Sequence, residues 1–183
     1  MANDANFQYI LKAIADKGSG LSDVQRDILA GVVRQGKQTN APFSSYSVTV
    51  NYNKTVDQLV KDGKYDWAND DVSDPHFPLN KKGEEQAEIF IVTIDRRMSN
   101  AEIDQILDRW GLQDANVKEG LSLGAQYPNL QREGPIVARG STWRVSDGGV
   151  FVPCLRGGES RRDLGLSLVG GWYSCWQFAA VRK

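Results

Sequence analysis

"GLSLVGGWYSCWQF", residues 165–178, combines the bulky rings of a core strand, Trp172, Tyr173, Trp176 and Phe178, with glycine, serine and a cysteine. Either it closes a fold or it builds a surface. Its neighbours narrow the choice. From Ile136 onward the chain is a series of short apolar pieces, "PIVARGSTW", "GVFVPCL", "RRDLGLSLV" and "WQFAAVRK", separated by glycine-rich turns. Each is strand length and each connection is hairpin length, which predicts a run of mainly antiparallel strands.

Working back toward the N-terminus, "YSVTVNY" (46–52) alternates Tyr46, Val48, Val50 and Tyr52 with polar residues, the period of a strand with one buried face. In "TVDQLVKDG", Thr55 and Gln58 have capping-box spacing, Val56, Leu59 and Val60 form an apolar stripe, and Gly63 is the stop. The same order returns later, with a strand over 88–94, a capping box of Ser99 and Glu102, a stripe of Ile103, Ile106, Leu107 and Trp110, and Gly111 as the end. Two strand-then-helix units predict an α+β arrangement, two helices packed on a mixed or antiparallel sheet, rather than a βαβαβ winding. A further helix is expected from Val117 to about Ala125, capped by Asn116 and Glu119 and weakened by Gly120 and Gly124. Residues 63–86 and 127–135 read as loops. Residues 1–44 read as an N-terminal helical pair, from the stripes Phe7, Ile10, Leu11, Ile14 and Val24, Ile28, Leu29, Val32.

At 183 residues, 40% hydrophobic and 25% charged, the chain has the length and composition of one domain with its own core. A net charge of −1 removes the cationic footprint that a phosphate-backbone binder needs, so nucleic acid is excluded as a partner. The basic run "RGGESRR", with Arg156, Arg161 and Arg162, reads as a solvated turn. No apolar run approaches the roughly 20 residues of a membrane helix, and "MANDANFQYI" lacks the features of a signal peptide, so a soluble chain of undetermined location is expected. Cys154 and Cys175, the two cysteines, are expected to be free thiols, although neighbouring strands could bring them together.

Catalytic chemistry needs tunable groups, and few are present. The one histidine, His76 in "SDPHFP", has no second His or Cys at metal-ligand spacing and reads as a loop residue pinned by its prolines. "DWANDDVSDP" supplies Asp66, Asn69, Asp70, Asp71 and Asp74, but lacks the glycine and terminal glutamate of an EF-hand, and reads as a solvated acidic loop. No cofactor and no metal are expected. Trp110 and Trp143 read as core, as does Trp67 on balance. Tyr173 and Trp176, beside Gly170 and Gly171, could instead line a recognition surface.

The motifs "KYDWANDDV" followed by "FPLN", "LGAQYPNLQREGPIVARGSTWR", "VPCLRGGESRRDLGL" and the terminal "CWQFAAVRK" resemble proteins of archaea and candidate-phylum bacteria that end in a strand of the form "RFLAVRK". Some of these resemble the variable proteins of diversity-generating retroelements, known from viral as well as cellular genomes, whose C-terminal part has a C-type lectin fold. The resemblance covers roughly residues 45–183. It implies a single lectin-like domain whose last segment, about 142–183, is rewritten by a reverse transcriptase that copies a template with errors at adenines. The partner would be a protein or cell-surface ligand that differs between variants, with surface or virion association supplied by other factors.

Substitution at adenines in asparagine-type codons reaches Tyr, Ser, Gly, Cys, Val, Leu, Arg, Asp and Phe but not Trp, Glu, Gln, Lys or Met. The resemblance therefore assigns Trp143, Glu159, Trp172, Trp176, Gln177 and Lys183 to the scaffold, with Phe178 beside them. It makes Cys154, Arg156, Gly157, Gly165, Ser167, Val169, Gly170, Tyr173 and Ser174 eligible ligand-binding positions. Lectins of this fold that bind sugar through calcium use acidic and amide ligands near the domain end, where this chain has only Glu159 and Asp163 as acids after residue 150. Formylglycine-generating enzymes share the fold and use a cysteine pair, but Cys154 and Cys175 are separated by a strand and a turn. The expectation is a binding protein without catalytic residues. The alternative is a metal-dependent or other enzyme using the acidic loop 66–76.

Overall fold

The computed structural model describes residues 43–183; the N-terminal helical pair expected over residues 1–44 lies outside them apart from its last two positions, Phe43 and Ser44, which belong to a strand. The fold is α+β, with nine strands in one mixed sheet and four helices among the described residues. In chain order the elements are β1 (Phe43–Asn51), α1 (Val56–Asp62), β2 (Trp67–Ala68), β3 (Glu84–Thr93), α2 (Asn100–Arg109), β4 (Leu112–Asp114) and α3 (Val117–Gln126). They continue with α4 (Leu130–Glu133), β5 (Ile136–Val137), β6 (Trp143–Arg144), β7 (Val150–Gly157), β8 (Arg162–Leu168) and β9 (Gln177–Arg182).

The spatial order is β1-β3-β9-β5-β7-β8-β2, with β4 also on β9 and β6 also on β7. The C-terminal strand β9 thus sits in the middle, antiparallel to β3 and parallel to β5. The tail therefore joins the sheet begun by β1 and β3. Two parallel pairings, β5 with β9 and β2 with β8, make the sheet mixed.

Both faces of the sheet are covered. Successive side chains alternate faces, so Ile89 and Ile91 of β3 join one core with Val48, Val50, Leu155, Leu164 and Ala179, while Phe90 and Val92 join a second with Val152, Cys154, Phe178 and Ala180. Helices α1 and α3 supply Val56, Leu59, Val117 and Leu121 to the first core, and α2 supplies Ile103 and Leu107 to the second. This explains why β1 alternates cleanly whereas β3 reads "EIFIVTI": β3 is buried on both sides.

The three capping boxes form as the spacing predicts, at Thr55/Gln58, Ser99/Glu102 and Asn116/Glu119. Each satisfies helix-end N–H groups locally, which is why sequence reads them well. In α3 the glycines do not break the helix; a Cβ on Gly120 would stand 2.8 Å from that of Ala138, so its bareness lets helix and chain pack closely. Corrections fall on the loops. Residues 63–86 contain the strand β2 and the start of β3, and 127–135 contains α4. Of the four described helices, α1, α2 and α3 match the two expected on the sheet and the further one expected from Val117, and α4 is the addition.

Candidate functional site

The ladder between β7 and β8 pairs Val152 with Ser167, Cys154 with Gly165, and Arg156 with Asp163. Residues two apart share a face, so Cys154, Arg156, Gly165, Ser167 and Val169 lie on one side of this hairpin, the side of the second core. They are not equally accessible. Cys154 is fully buried among Val152, Trp172 and Phe178, which overturns its reading as a contact residue. Burial pushes its thiol up from the ordinary cysteine value, partly opposed by the Arg156 guanidinium, and this disfavours the nucleophilic thiolate.

Arg156 is exposed and lies across the hairpin. Its Nε donates to Cys154 Sγ at 3.4 Å and its Nη2 to the Leu166 carbonyl at 2.6 Å. The guanidinium crosses over Gly165, where an ideal Cβ would meet Arg156 Cζ at 3.7 Å and the Trp67 ring at 3.8 Å. An alanine fits there; anything larger displaces one of the two. Ser167 is buried, and Val169 is half-buried against the second core.

The chain then crosses this side on its way to β9. Trp172 is 1% exposed; it exchanges backbone hydrogen bonds with Met98 at 2.8 and 3.0 Å, and its Nε1 donates to Asn100 Oδ1 at 2.7 Å. Trp176 and Phe178 meet its ring edge to face at 5.2 and 5.4 Å. Trp172 and Phe178 are buried in the second core, and the half-buried Trp176 packs against it. The next residue, Tyr173, is 55% exposed, with the Arg97 guanidinium 5.2 Å from its ring centre, and Ser174 is exposed beside it.

Two more eligible positions do not suit variation. Gly170 is exposed, but at φ +132° it has a backbone conformation that side chains rarely adopt. Gly157 pairs with Arg162 on the opposite face, and a Cβ there would stand 2.9 Å from the Gln131 carbonyl. Trp143, read as core, is half-buried and stacks on His76 with ring centres 4.0 Å apart.

Trp67, read as packed, is 49% exposed and lies against the Gly165 side of β8; an isolated tryptophan in a polar segment was the available signal. Leu168 is 57% exposed, and nothing in its alternating context marked it out. The basic run is not a solvated turn throughout. Arg161 pairs with Asp163 at the surface, but Arg162 is buried and donates to the carbonyls of Gly63 and Gly124 and to Gln131 Oε1.

The acidic loop is engaged in its own architecture. Asp66 accepts from the Arg162 N–H, Asn69 from the Asp71 N–H, and Asp74 from the Val56 N–H in the first turn of α1. His76 Nδ1 lies 3.0 Å from the Asp71 carbonyl. Among the described residues, no group of three or more His, Cys, Asp or Glu is placed to hold a metal ion.

A cleft of about 300 Å³ opens elsewhere, lined by Lys81, Glu85, Glu88, Gln113, Glu119 and Arg182. Its charges answer one another: Lys81 pairs with Glu85 at 2.6 Å, Arg182 with Glu88 at 3.7 Å, and the Tyr52 hydroxyl donates to Glu119 at 2.6 Å. Burial and the Glu119 carboxylate push the Tyr52 phenol above its ordinary value, so it stays a donor.

The β7–β8 side thus presents one guanidinium, two exposed rings and small side chains on a packed support. In comparisons with known proteins, no family model, no curated protein and no solved structure matches this chain.

Proposed function

We propose that the chain is a ligand-binding protein of C-type lectin-like fold, without catalytic activity, whose segment from about residue 142 to 183 presents a diversified recognition surface of the kind made by retroelements. The observation that carries this reading is the pair Trp172 and Tyr173, where consecutive residues are 1% and 55% exposed. A ring that diversification cannot easily create anchors the loop, and a ring that it can create faces outward.

Arg156, Val169, Tyr173 and Ser174 are the contact positions, with Gly165 and Ser167 able to change the relief between them. Cys154, Gly157 and Gly170 leave the set for the packing and backbone reasons above. Tyr173 serves as the aromatic anchor, since a rigid ring buries much area for little lost side-chain entropy. The lectin-like assignment rests on the residue resemblance; the mixed sheet with helices on both faces is compatible with it.

The test is to sequence the gene's surroundings in several isolates. The expected result is an adenine-rich near-copy of the last segment beside a reverse transcriptase, with substitutions concentrated at the codons of Arg156, Val169, Tyr173 and Ser174. An isolate series with no such copy, or with changes spread evenly over core and surface codons, overturns the reading.

A further inference from the structure

Strand β8 is longer than the edge strand beside it. β2 pairs only Trp67 with Asp163 and Ala68 with Leu164, and the Asn69 N–H adds a last bond to the Leu164 carbonyl at 2.9 Å. A turn closed by the Val72 N–H on the Asn69 carbonyl then redirects the chain. The bond from Val169 N–H to the Val150 carbonyl sets the phase of the β7–β8 ladder, so Asp163, Gly165 and Ser167 also bond toward β7. The N–H and C=O groups of Leu166 and Leu168 consequently point the other way, where no strand among the described residues pairs with them. A side chain, Arg156, meets the Leu166 carbonyl by reaching across its own neighbour strand.

An unpaired strand edge is a template for another strand. We propose that the Leu166–Leu168 edge binds an extended acidic segment of a partner protein, added to the sheet as a further strand. Charge and exposure select the occupant. Arg156 is exposed, lies on one face of β8 and has no carboxylate partner among the described residues, whereas the 57% exposed Leu168 points to the other face. Side chains of an incoming strand alternate between those faces, so the fitting segment alternates acidic with apolar residues: the acids meet Arg156 and the apolar residues cover Leu168. The Leu166 carbonyl has two lone pairs and can take the incoming N–H as well as Arg156. This site shares Arg156 with the surface proposed above but rests on backbone groups, and holds whether or not the loop residues vary.

The test is amide hydrogen exchange and a binding titration on the full chain, with a capped Glu-Val-Glu-Val-Glu-Val peptide and its Lys-Val counterpart as probes. The expected result is slowed exchange at Leu166 and Leu168 with the Glu-Val peptide and binding at least about tenfold weaker with the Lys-Val one. Leu168→Pro removes an outward N–H without touching the β7 ladder; it should abolish the protection at Leu166 while the melting temperature stays within a few degrees. Arg156→Gln should remove the preference for acids and leave the fold intact. Absence of protection at Leu166 and Leu168, or equal binding of both peptides, overturns the proposal. Protection that rises with protein concentration alone also overturns it, because the occupant is then a second copy of this chain. Binding lost in Tyr173→Ala but kept in Leu168→Pro overturns the edge site while leaving the recognition loop standing.

Discussion

Arg162 Nη2 donates to the Gly124 carbonyl at 2.7 Å, tying β8 to the last turn of α3. Its Nη1 holds the Gly63 carbonyl at the end of α1 at 3.0 Å, and Gln131 of α4 completes the set at 3.1 Å. Two helix C-termini, each carrying partial negative charge, thus receive one buried cation. Arg162→Met keeps most of the volume but strands three acceptors. A loss of about 2–4 kcal/mol in urea unfolding is expected, since each unmet buried acceptor costs about 1–3 kcal/mol and part relaxes.

Trp172 and Tyr173 should separate sharply on substitution. Trp172→Ala empties the centre of the second core and should cost about 3–5 kcal/mol. Tyr173→Ala, at an exposed site, should stay within about 0.5 kcal/mol. Thermal melts of the two variants check this, and a destabilised Tyr173→Ala would mean that the ring belongs to the scaffold.

The two thiols should differ in reactivity. Cys175 is exposed and Cys154 is buried, with its thiol raised by burial. Mass spectrometry after maleimide treatment should find one fast adduct, at Cys175, and a second only after unfolding. Rapid double labelling of the folded chain would contradict the packing of β7.

Glu102, held by the Ser99 N–H, Arg96 and the Ser99 hydroxyl, has its carboxyl lowered from 4.5 to about 2. A carboxyl whose folded value is depressed contributes stability above its unfolded value and loses it as pH falls through the folded one. The melting-temperature gap between the wild type and Glu102→Gln should therefore be full above pH 4.5, narrow below it and close near pH 2. A gap that widens with acid would show that the cap is not ionic.

How much of this could be read in advance follows the range of the interactions. The capping boxes join residues three apart, and β1 shows its buried face by a period of two, so both were legible. β2, β5 and β6 are two residues each and exist only through partners far along the chain. For the site, residue type alone set Trp172 apart from Tyr173 and Ser174, whereas Phe178 is set apart only by its burial. It could not exclude Cys154, Gly157 or Gly170, because burial, a neighbouring carbonyl and a positive φ are properties of the assembled sheet.

In "GLSLVGGWYSCWQF" the sequence by itself determined which side chains are large and apolar enough to fill a core and which are small or polar, because size and polarity belong to the residue. Only the tertiary structure decided that Arg156 bridges to Leu166 over a bare Gly165, and that Arg162, 38 residues beyond Gly124 in the chain, is buried beside it. Those facts depend on strand register and helix placement, and both are set by contacts between segments that no local pattern records.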